Sequence, residues 1–364
     1  MTATPLRSAI VGTGNISNAH AESIRAIGAR LVGVTDHVRD AAEAFAERHG
    51  ADAVYDDLAT MLAEARPDVL HVCTPPGVHA GQAIAALDAG VHVVCEKPAA
   101  LSLTELDDMV AASERNDRRL VVVFQQRTGT AAAHVKSLLA SGALGRPLVA
   151  TCQTLWYRDP AYFAVPWRGK WETEGGGPTL GHGIHQIDLL AWLLGDWTSV
   201  RGDLWRLARE TNTEDVSTAT VGFANGAVAQ VITSAVSPRE VSSIRIDTER
   251  ATITVDHLYG HGHEHWRITP APGIDEAEAA GWALPDAEEP SGHLPLLREA
   301  YAAFASGAEL PSTASAPARS FEIVTAIYSS AAHDGAVVTP VSLREDTDRL
   351  ASLESPVTER RPGS

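Results

Sequence analysis

Five short β-branched runs separated by helix-patterned segments fill the first third of the chain, and this alternation restricts the fold more than any other feature. A strand that pairs in parallel with the one before it needs a crossover, which a helix supplies. The runs are Leu6 to Val11, Leu31 to Asp36, Val69 to Thr74, Val91 to Cys95 and Leu120 to Phe124. Helical spacing reaches Ile27 after the first run, then covers Asp40 to His49, Val78 to Ala89 and Thr104 to Asn116. The strands are mostly apolar throughout rather than alternating, as expected where helices cover both faces of a parallel sheet. Ligands of such sheets sit beyond the carboxyl ends of the strands.

The residues at those ends carry chemistry. Gly12 and Gly14 follow the first strand directly, with Asn15 and Ile16 leading into the helix and a small residue, Ser17, in the third position of the pattern. A tight glycine turn lets the backbone approach a pyrophosphate, which then rests on the free N–H groups of the helix start. Asp36 closes the second strand, where a carboxylate accepts both ribose hydroxyls of NAD and repels the extra phosphate of NADP. Arg39 stands close enough to accommodate that phosphate and leaves the preference less sharp. Thr74 and Pro75 end the third strand, with Pro76 next, and His79 begins a helix beside the expected cofactor. The fourth strand stops at Glu96-Lys97-Pro98, which puts Glu96 and Lys97 beside the expected cofactor and Lys97 where a substrate would lie. A lysine partly removed from water loses some preference for charge, which suits it to proton transfer.

After Arg127 the pattern changes to a helix around Ala132 to Ala140 and then, over Val200 to Val255, mostly alternating strands joined by polar turns, the mark of an antiparallel sheet. A chain of 364 residues with 45% apolar content fits two domains. We expect a nucleotide-binding domain over 1–126, an α/β substrate and oligomerisation domain over 127–340, and a C-terminal tail over 341–364 that is polar and loose beyond Glu345. Pro270 to Gly292 reads as an acidic loop, with helices over Leu294 to Ser306 and Pro317 to Ala332. Cys73, Cys95 and Cys152 are far apart and read as reduced core thiols of a cytoplasmic protein. Met1 to Pro5 has no export pattern. A net charge of -17 argues against nucleic acid and anionic membrane surfaces, and no apolar run approaches a membrane span.

Glu96-Lys97-Pro98, together with Gly175-Gly176-Gly177 and Gly183-Ile184-His185-Gln186-Ile187-Asp188, resembles the glucose–fructose oxidoreductase / inositol dehydrogenase / rhizopine catabolism (Gfo/Idh/MocA) family, over about Leu6 to Val338. The resemblance implies a Rossmann domain followed by an α/β domain with a large open, mostly antiparallel sheet, whose exposed face makes subunit contacts, so a homo-oligomer (dimer or tetramer) is expected. It implies NAD as cofactor and oxidation of a hydroxyl, or reduction of a ketone, on a sugar or cyclitol. Lys97 and His185 match the family's catalytic lysine and histidine. Many members carry an aspartate four positions before that histidine, and here the position is Gly181, with His182 beside it as a candidate replacement.

Further candidates come from composition. Aromatics make up 5% of the chain yet crowd the segment from Trp156 to Trp171. Tyr157 and Trp167 offer faces for sugar C–H groups, and Arg168 and Lys170 are anion-reading candidates. Gln125 and Arg127 follow a strand at the domain junction and, with Asp188, complete the expected substrate set. His261, His263 and His265 alternate with a strand's period, but hydride chemistry needs no metal and none is expected. The reading is an NAD(H)-dependent dehydrogenase of a sugar, cyclitol or derivative, with Lys97 and His185 managing the reacting hydroxyl. The alternative is an NAD-dependent glycoside hydrolase that oxidises its substrate transiently, possibly on an anionic glycoside.

Overall fold

The computed structural model describes residues 5–257, 259–315 and 318–359. In chain order the first eleven elements are β1 (Arg7–Val11), α1 (Ser17–Ile27), β2 (Arg30–Thr35), α2 (Arg39–His49), β3 (Val54–Tyr55), α3 (Leu58–Ala65), β4 (Val69–Val72), α4 (His79–Asp88), β5 (His92–Cys95), α5 (Leu103–Arg115) and β6 (Leu120–Val122). The five expected strands are present, and β3 with α3 forms an additional crossover. The sheet is parallel throughout with order β3-β2-β1-β4-β5-β6. Its order reverses between β1 and β4, the position where such sheets open a crevice.

The remaining elements are α6 (Thr130–Ala140), β7 (Pro147–Tyr157), α7 (Pro160–Phe163), α8 (Trp171–Glu174), α9 (Ile184–Leu194), β8 (Trp197–Arg206), β9 (Val216–Phe223), β10 (Val228–Ser234), β11 (Val236–Thr248), β12 (Ala251–Asp256), β13 (Trp266–Pro270), α10 (Glu276–Ala280), α11 (His293–Ser306), α12 (Ala318–Ala332), α13 (Pro340–Glu345), α14 (Thr347–Ala351) and β14 (Thr358–Glu359). Their eight-stranded sheet has order β13-β12-β11-β7-β10-β9-β8-β14 and is antiparallel except at β7–β10 and β8–β14. Along β7, β9 and β10, alternate residues such as Cys152, Val221 and Val231 are buried, whereas Val149, Val228 and Gln230 on the other face are exposed. A sheet with one covered face needs only this period-two pattern.

The chain divides into two compact units, and the division is not the expected one. The first break falls after Gln125, but the segment beginning at His293 returns to the first unit. The cause is the apolar face of α11. Leu296, Leu297, Ala300, Tyr301 and Phe304 join Ile10, Ile24, Val34 and Phe45 in one buried cluster. The tail is also not loose where it is described. Leu353 is buried at 2% exposure, and β14 pairs with β8. Pro317, placed at a helix start from the sequence, lies outside the described residues, as do Met1 to Thr4 and the end of the tail beyond Glu359. The three cysteines are buried and free, as expected. Among the described residues, no helix is long and apolar enough to cross a membrane.

Candidate active site

The carboxyl ends of β1, β2 and β4 form the crevice expected for a dinucleotide. Gly12 has φ +87°, and a Cβ there would stand 2.8 Å from the Cys73 carbonyl carbon and the Thr74 amide. Only glycine allows β1 and β4 to approach this closely at the turn. Above Gly14 nothing lies within 4 Å of a Cβ position, and Gly14, Asn15 and Ile16 are exposed, with no side chain capping α1. The open loop and uncapped helix start fit a pyrophosphate. Asp36 receives the Thr13 N–H at 2.7 Å, the Thr13 hydroxyl at 3.0 Å and the Val38 N–H at 2.9 Å. Burial raises its pKa, but these donors outweigh it and hold the carboxyl below its ordinary value. A fourth contact comes from His37, whose Nδ1 lies 2.9 Å from the carboxylate on a 91% exposed side chain; a carboxylate has about four acceptor positions, so ribose hydroxyls would take the place of this exposed contact. Arg39 is engaged elsewhere, with Glu43 at 2.8 Å and with Asp56.

Two neighbouring strand exits are tied together by His79, the first residue of α4. Its Nδ1 lies 2.9 Å from the Pro98 carbonyl and its Nε2 2.6 Å from that of Thr74. Thr74 also donates its hydroxyl to Gln82, and Pro75 continues in extended conformation into the turn. Thus Thr74, Pro75 and His79 shape the rim on which Lys97, half-buried after β5, stands.

Glu96 has a role that its position before Lys97 did not reveal. Its carboxylate, 6% exposed, receives His20 Nε2 at 2.9 Å and His293 Nε2 at 3.1 Å on the same oxygen. His20 Nδ1 meets His71 Nδ1 at 2.8 Å, His71 Nε2 meets the Tyr301 hydroxyl at 2.7 Å, and that hydroxyl meets Ser8 at 2.6 Å. Burial lowers the pKa of both His20 and His71, which favours their neutral forms. With both neutral, every link is satisfied when each donor points toward Glu96, an aligned chain whose members polarise one another. Burial alone would raise the Glu96 pKa, but its histidine partners hold it well below the usual carboxylate range. Sequence reading missed His20, His71, His293 and Tyr301, because a lone histidine in an apolar strand or helix carries no periodic signal. Among the described residues, His20, Glu96 and His293 form the one trio of metal-ligating type. Their convergence is accounted for by the two hydrogen bonds to one carboxylate oxygen.

In the second unit, His185 occupies the first turn of α9, directly after a π-helical turn at Thr179–Gly183. Such turns recur at functional sites because they rotate side chains off the regular helical register. The glycine run before it is enforced by Glu214. A Cβ at Gly177 would lie 2.1 Å from the Glu214 carbonyl oxygen, and the Glu214 carboxyl accepts the N–H groups of Gly177 and Thr179 at 3.0 and 3.1 Å. Tyr328 donates its hydroxyl to the same carboxyl at 2.8 Å, and burial pushes the Glu214 pKa up to about 7.

The proposed substrate residues of this unit separate into two groups. Arg127 and Asp188 are locked to each other: Arg127 Nε donates to Asp188 at 2.6 Å and a second guanidinium N–H completes a bidentate pair, at 4% and 1% side-chain exposure. This buried ion pair ties Arg127, in the turn at Gln125–Arg127, to Asp188 of α9. Tyr157 is 43% exposed and stacks on Arg209, while Lys170 is exposed as the residue preceding α8. Trp167, Arg168 and His182 do converge. Arg168 lies 4.3 Å from the Trp167 ring and 3.8 Å from that of Tyr162, and the Tyr162 hydroxyl meets His182 Nε2 at 3.1 Å. The alternating histidines lie in a turn rather than along a strand: His263 and His265 sit in a 3-10 turn, His263 bonds Thr130, and His265 stacks on His257.

A glycine loop, a ribose-directed carboxylate and a strand-end lysine define a nucleotide-dependent α/β enzyme. The chain belongs to the oxidoreductase family GFO_IDH_MocA: the model described as "NAD-binding Rossmann fold" matches residues 6–124 and the family's C-terminal domain model matches 132–254. It is similar to the D-glucoside 3-dehydrogenase of Escherichia coli, with 34% identity over 54% of this chain and 56% of that enzyme. The chain therefore spans about half the length of the curated relatives it matches most strongly. Similarity to the D-apiose dehydrogenase of Paraburkholderia graminis is 27% over 97% of this chain and 95% of that one. Among solved structures, the WlbA dehydrogenase of Bordetella pertussis in complex with NADH and UDP-GlcNAcA shares 29% identity, covers 93% of this chain and 98% of its own, and superposes with a TM-score of 0.81.

Proposed function

We propose that the protein is an NAD(H)-dependent dehydrogenase that oxidises a ring hydroxyl of a sugar, cyclitol or derivative, or reduces the corresponding ketone. The observation that carries this reading is the arrangement within the first unit. Gly12, Gly14 and Asp36 stand at the ends of β1 and β2, and Lys97 stands at the end of β5 in the same parallel sheet. NAD held on the glycine loop, with its ribose on Asp36, would supply the hydride acceptor. Lys97 would take the proton of the reacting hydroxyl, and His185 is the catalytic candidate of the second unit. Glu96 does not meet the cofactor directly in this reading; it fixes the strand end from which Lys97 projects. The names of the three relatives given above, each a dehydrogenase, support the substrate class and lend nothing to the hydrolase alternative.

The half-exposed outer face of the eight-stranded sheet supports a homo-oligomer, and three buried free thiols support a reducing, cytoplasmic setting. Absorbance in the NADH band, with a panel of polyols, pyranosides and their keto forms, tests the function. Turnover of at least one is expected; none across the panel, with NAD bound, overturns it.

A further inference from the structure

Three consecutive glycines precede the turn that leads into His185, and each answers to a different constraint. Gly175 closes α8 with φ +78°. A Cβ on Gly176 would strike the Tyr328 hydroxyl, and one on Gly177 would strike the Glu214 carbonyl oxygen. Glu214, two residues before β9, and Tyr328, on α12, are both buried and are bonded to each other through the Tyr328 hydroxyl. Nothing in the sequence sets Glu214 apart from its acidic neighbour. Asp215 serves a local turn, accepting the N–H groups of Leu207, Ala208 and Arg209. Glu214 reaches across thirty-five residues of sequence to Thr179.

Both carboxyl oxygens are engaged. One accepts the Tyr328 hydroxyl at 2.8 Å and the Thr179 N–H at 3.1 Å, and the other accepts the Gly177 N–H at 3.0 Å. Thr179 opens the π-helical turn Thr179–Gly183, and its hydroxyl meets Ser217 at 2.7 Å and Thr233 at 3.0 Å, two residues that pair across β9 and β10. At the far end of the turn, a Cβ on Gly183 would strike the Thr233 methyl group. The turn is therefore held at its start by Glu214, Ser217 and Thr233 and seated at its end on β10. Directly after it, every residue of α9 from Ile184 to Leu194 is buried.

A π-turn holds one residue more than the same stretch of α-helix. At 3.6 residues per turn that extra residue rotates whatever lies beyond it by about 100°. Its hydrogen bonding is poorer than that of a regular helix, so it persists where contacts at its ends hold it. We propose that Glu214 is a positioning residue that, by anchoring Gly177 and Thr179, keeps this turn π-helical and so sets the direction of the His185 imidazole. Tyr328 shares the task by fixing the carboxyl to α12. The inference rests on the dehydrogenase reading, with His185 as the catalytic candidate of the second unit, and adds the group that aims it.

The test is a double-mutant cycle on the full chain, read by NADH formation with polyols and pyranosides, by NAD titration, and by hydrogen exchange of the backbone over 177–183. Glu214→Gln keeps the size of the side chain but, whichever way the amide is turned, sets an NH₂ group against a backbone N–H. It should lower kcat by about 10²-fold, the cost of a small misplacement at a reacting group, leave NAD affinity unchanged and speed exchange over the turn. Because Glu214 acts through His185, adding Glu214→Gln to His185→Ala should cost no further kcat, a non-additivity that a merely structural residue does not show. Tyr328→Phe removes one donor and little volume; it should repeat the pattern with a smaller loss, and it keeps the test decisive if Glu214→Gln does not fold. Additive losses in the cycle, turnover unchanged in His185→Ala, or exchange unchanged in a folded, NAD-binding variant overturns the proposal and leaves the dehydrogenase reading intact. No NADH from any substrate with the unmutated chain overturns the dehydrogenase reading, and the proposal with it.

Discussion

At Lys97 the account is most exposed to test. Lys97→Met keeps the apolar stem and deletes the amine, so NAD binding by titration should persist while kcat falls by about 10²–10⁴-fold, the usual worth of a general acid or base. Asp36 gives a second test. Because it holds both the Thr13 backbone and the expected ribose, Asp36→Ala should weaken NAD binding and narrow its preference over NADP, as measured by parallel titrations. Gly181 was legible in the sequence as a departure from the family pattern, but its surroundings were not, since the carboxylate 3.8 Å from its Cβ position belongs to Glu174, seven positions earlier. Contacts of that kind depend on how α8 and the π-turn fold back together. A carboxylate added by Gly181→Asp fits sterically but faces Glu174, so activity should fall, whereas Gly181→Ala should be tolerated. Retained activity in the aspartate variant would contradict the placement of Glu174.

At the scale of elements, periodicity served well wherever packing was repetitive. The five parallel strands and the alternating strands of the second sheet follow directly from their apolar patterns. What did not show was pairing between distant positions. α11 returns across nearly two hundred residues of sequence to complete the first core, and its His293 and Tyr301 close the chain of hydrogen bonds around Glu96. That chain has a consequence for acid stability. His20 and His71 have folded pKa values below the ordinary 6.5, so the unfolded chain binds more protons than the native one once pH drops below that value. Their contribution is therefore present above about pH 6.5 and is lost as pH falls toward their folded pKa values; that of Glu96, also depressed, is lost at lower pH still. Chemical denaturation at stepped pH should show stability falling below about 6.5. His71→Gln should flatten the slope there, and an unchanged slope would mean that His71 is not held neutral. The glycine run makes the other prediction at this scale: Gly177→Ala drives a methyl group into the Glu214 carbonyl and should cost about 1–3 kcal/mol or more in thermal unfolding.

For the whole molecule, the order of strands and the strand-end residues were readable from sequence, because a parallel sheet leaves few topologies and puts its ligands at one edge. The substrate was not readable. In the sequence Arg158 and Arg168 stand as unmatched cations, and only the fold puts Glu240 and Glu174 beside them. The central claim is that this chain removes hydride from a sugar carbon and passes it to NAD, with Lys97 taking the proton. The most direct measurement follows a pyranoside deuterated at the oxidised carbon, with the reduced cofactor analysed by mass. The account predicts deuterium in the cofactor at one atom per turnover, with Lys97→Met slowing the transfer by about 10²–10⁴-fold while NAD still binds. Product formed with no deuterium in the cofactor, or transfer undiminished in Lys97→Met, would contradict it.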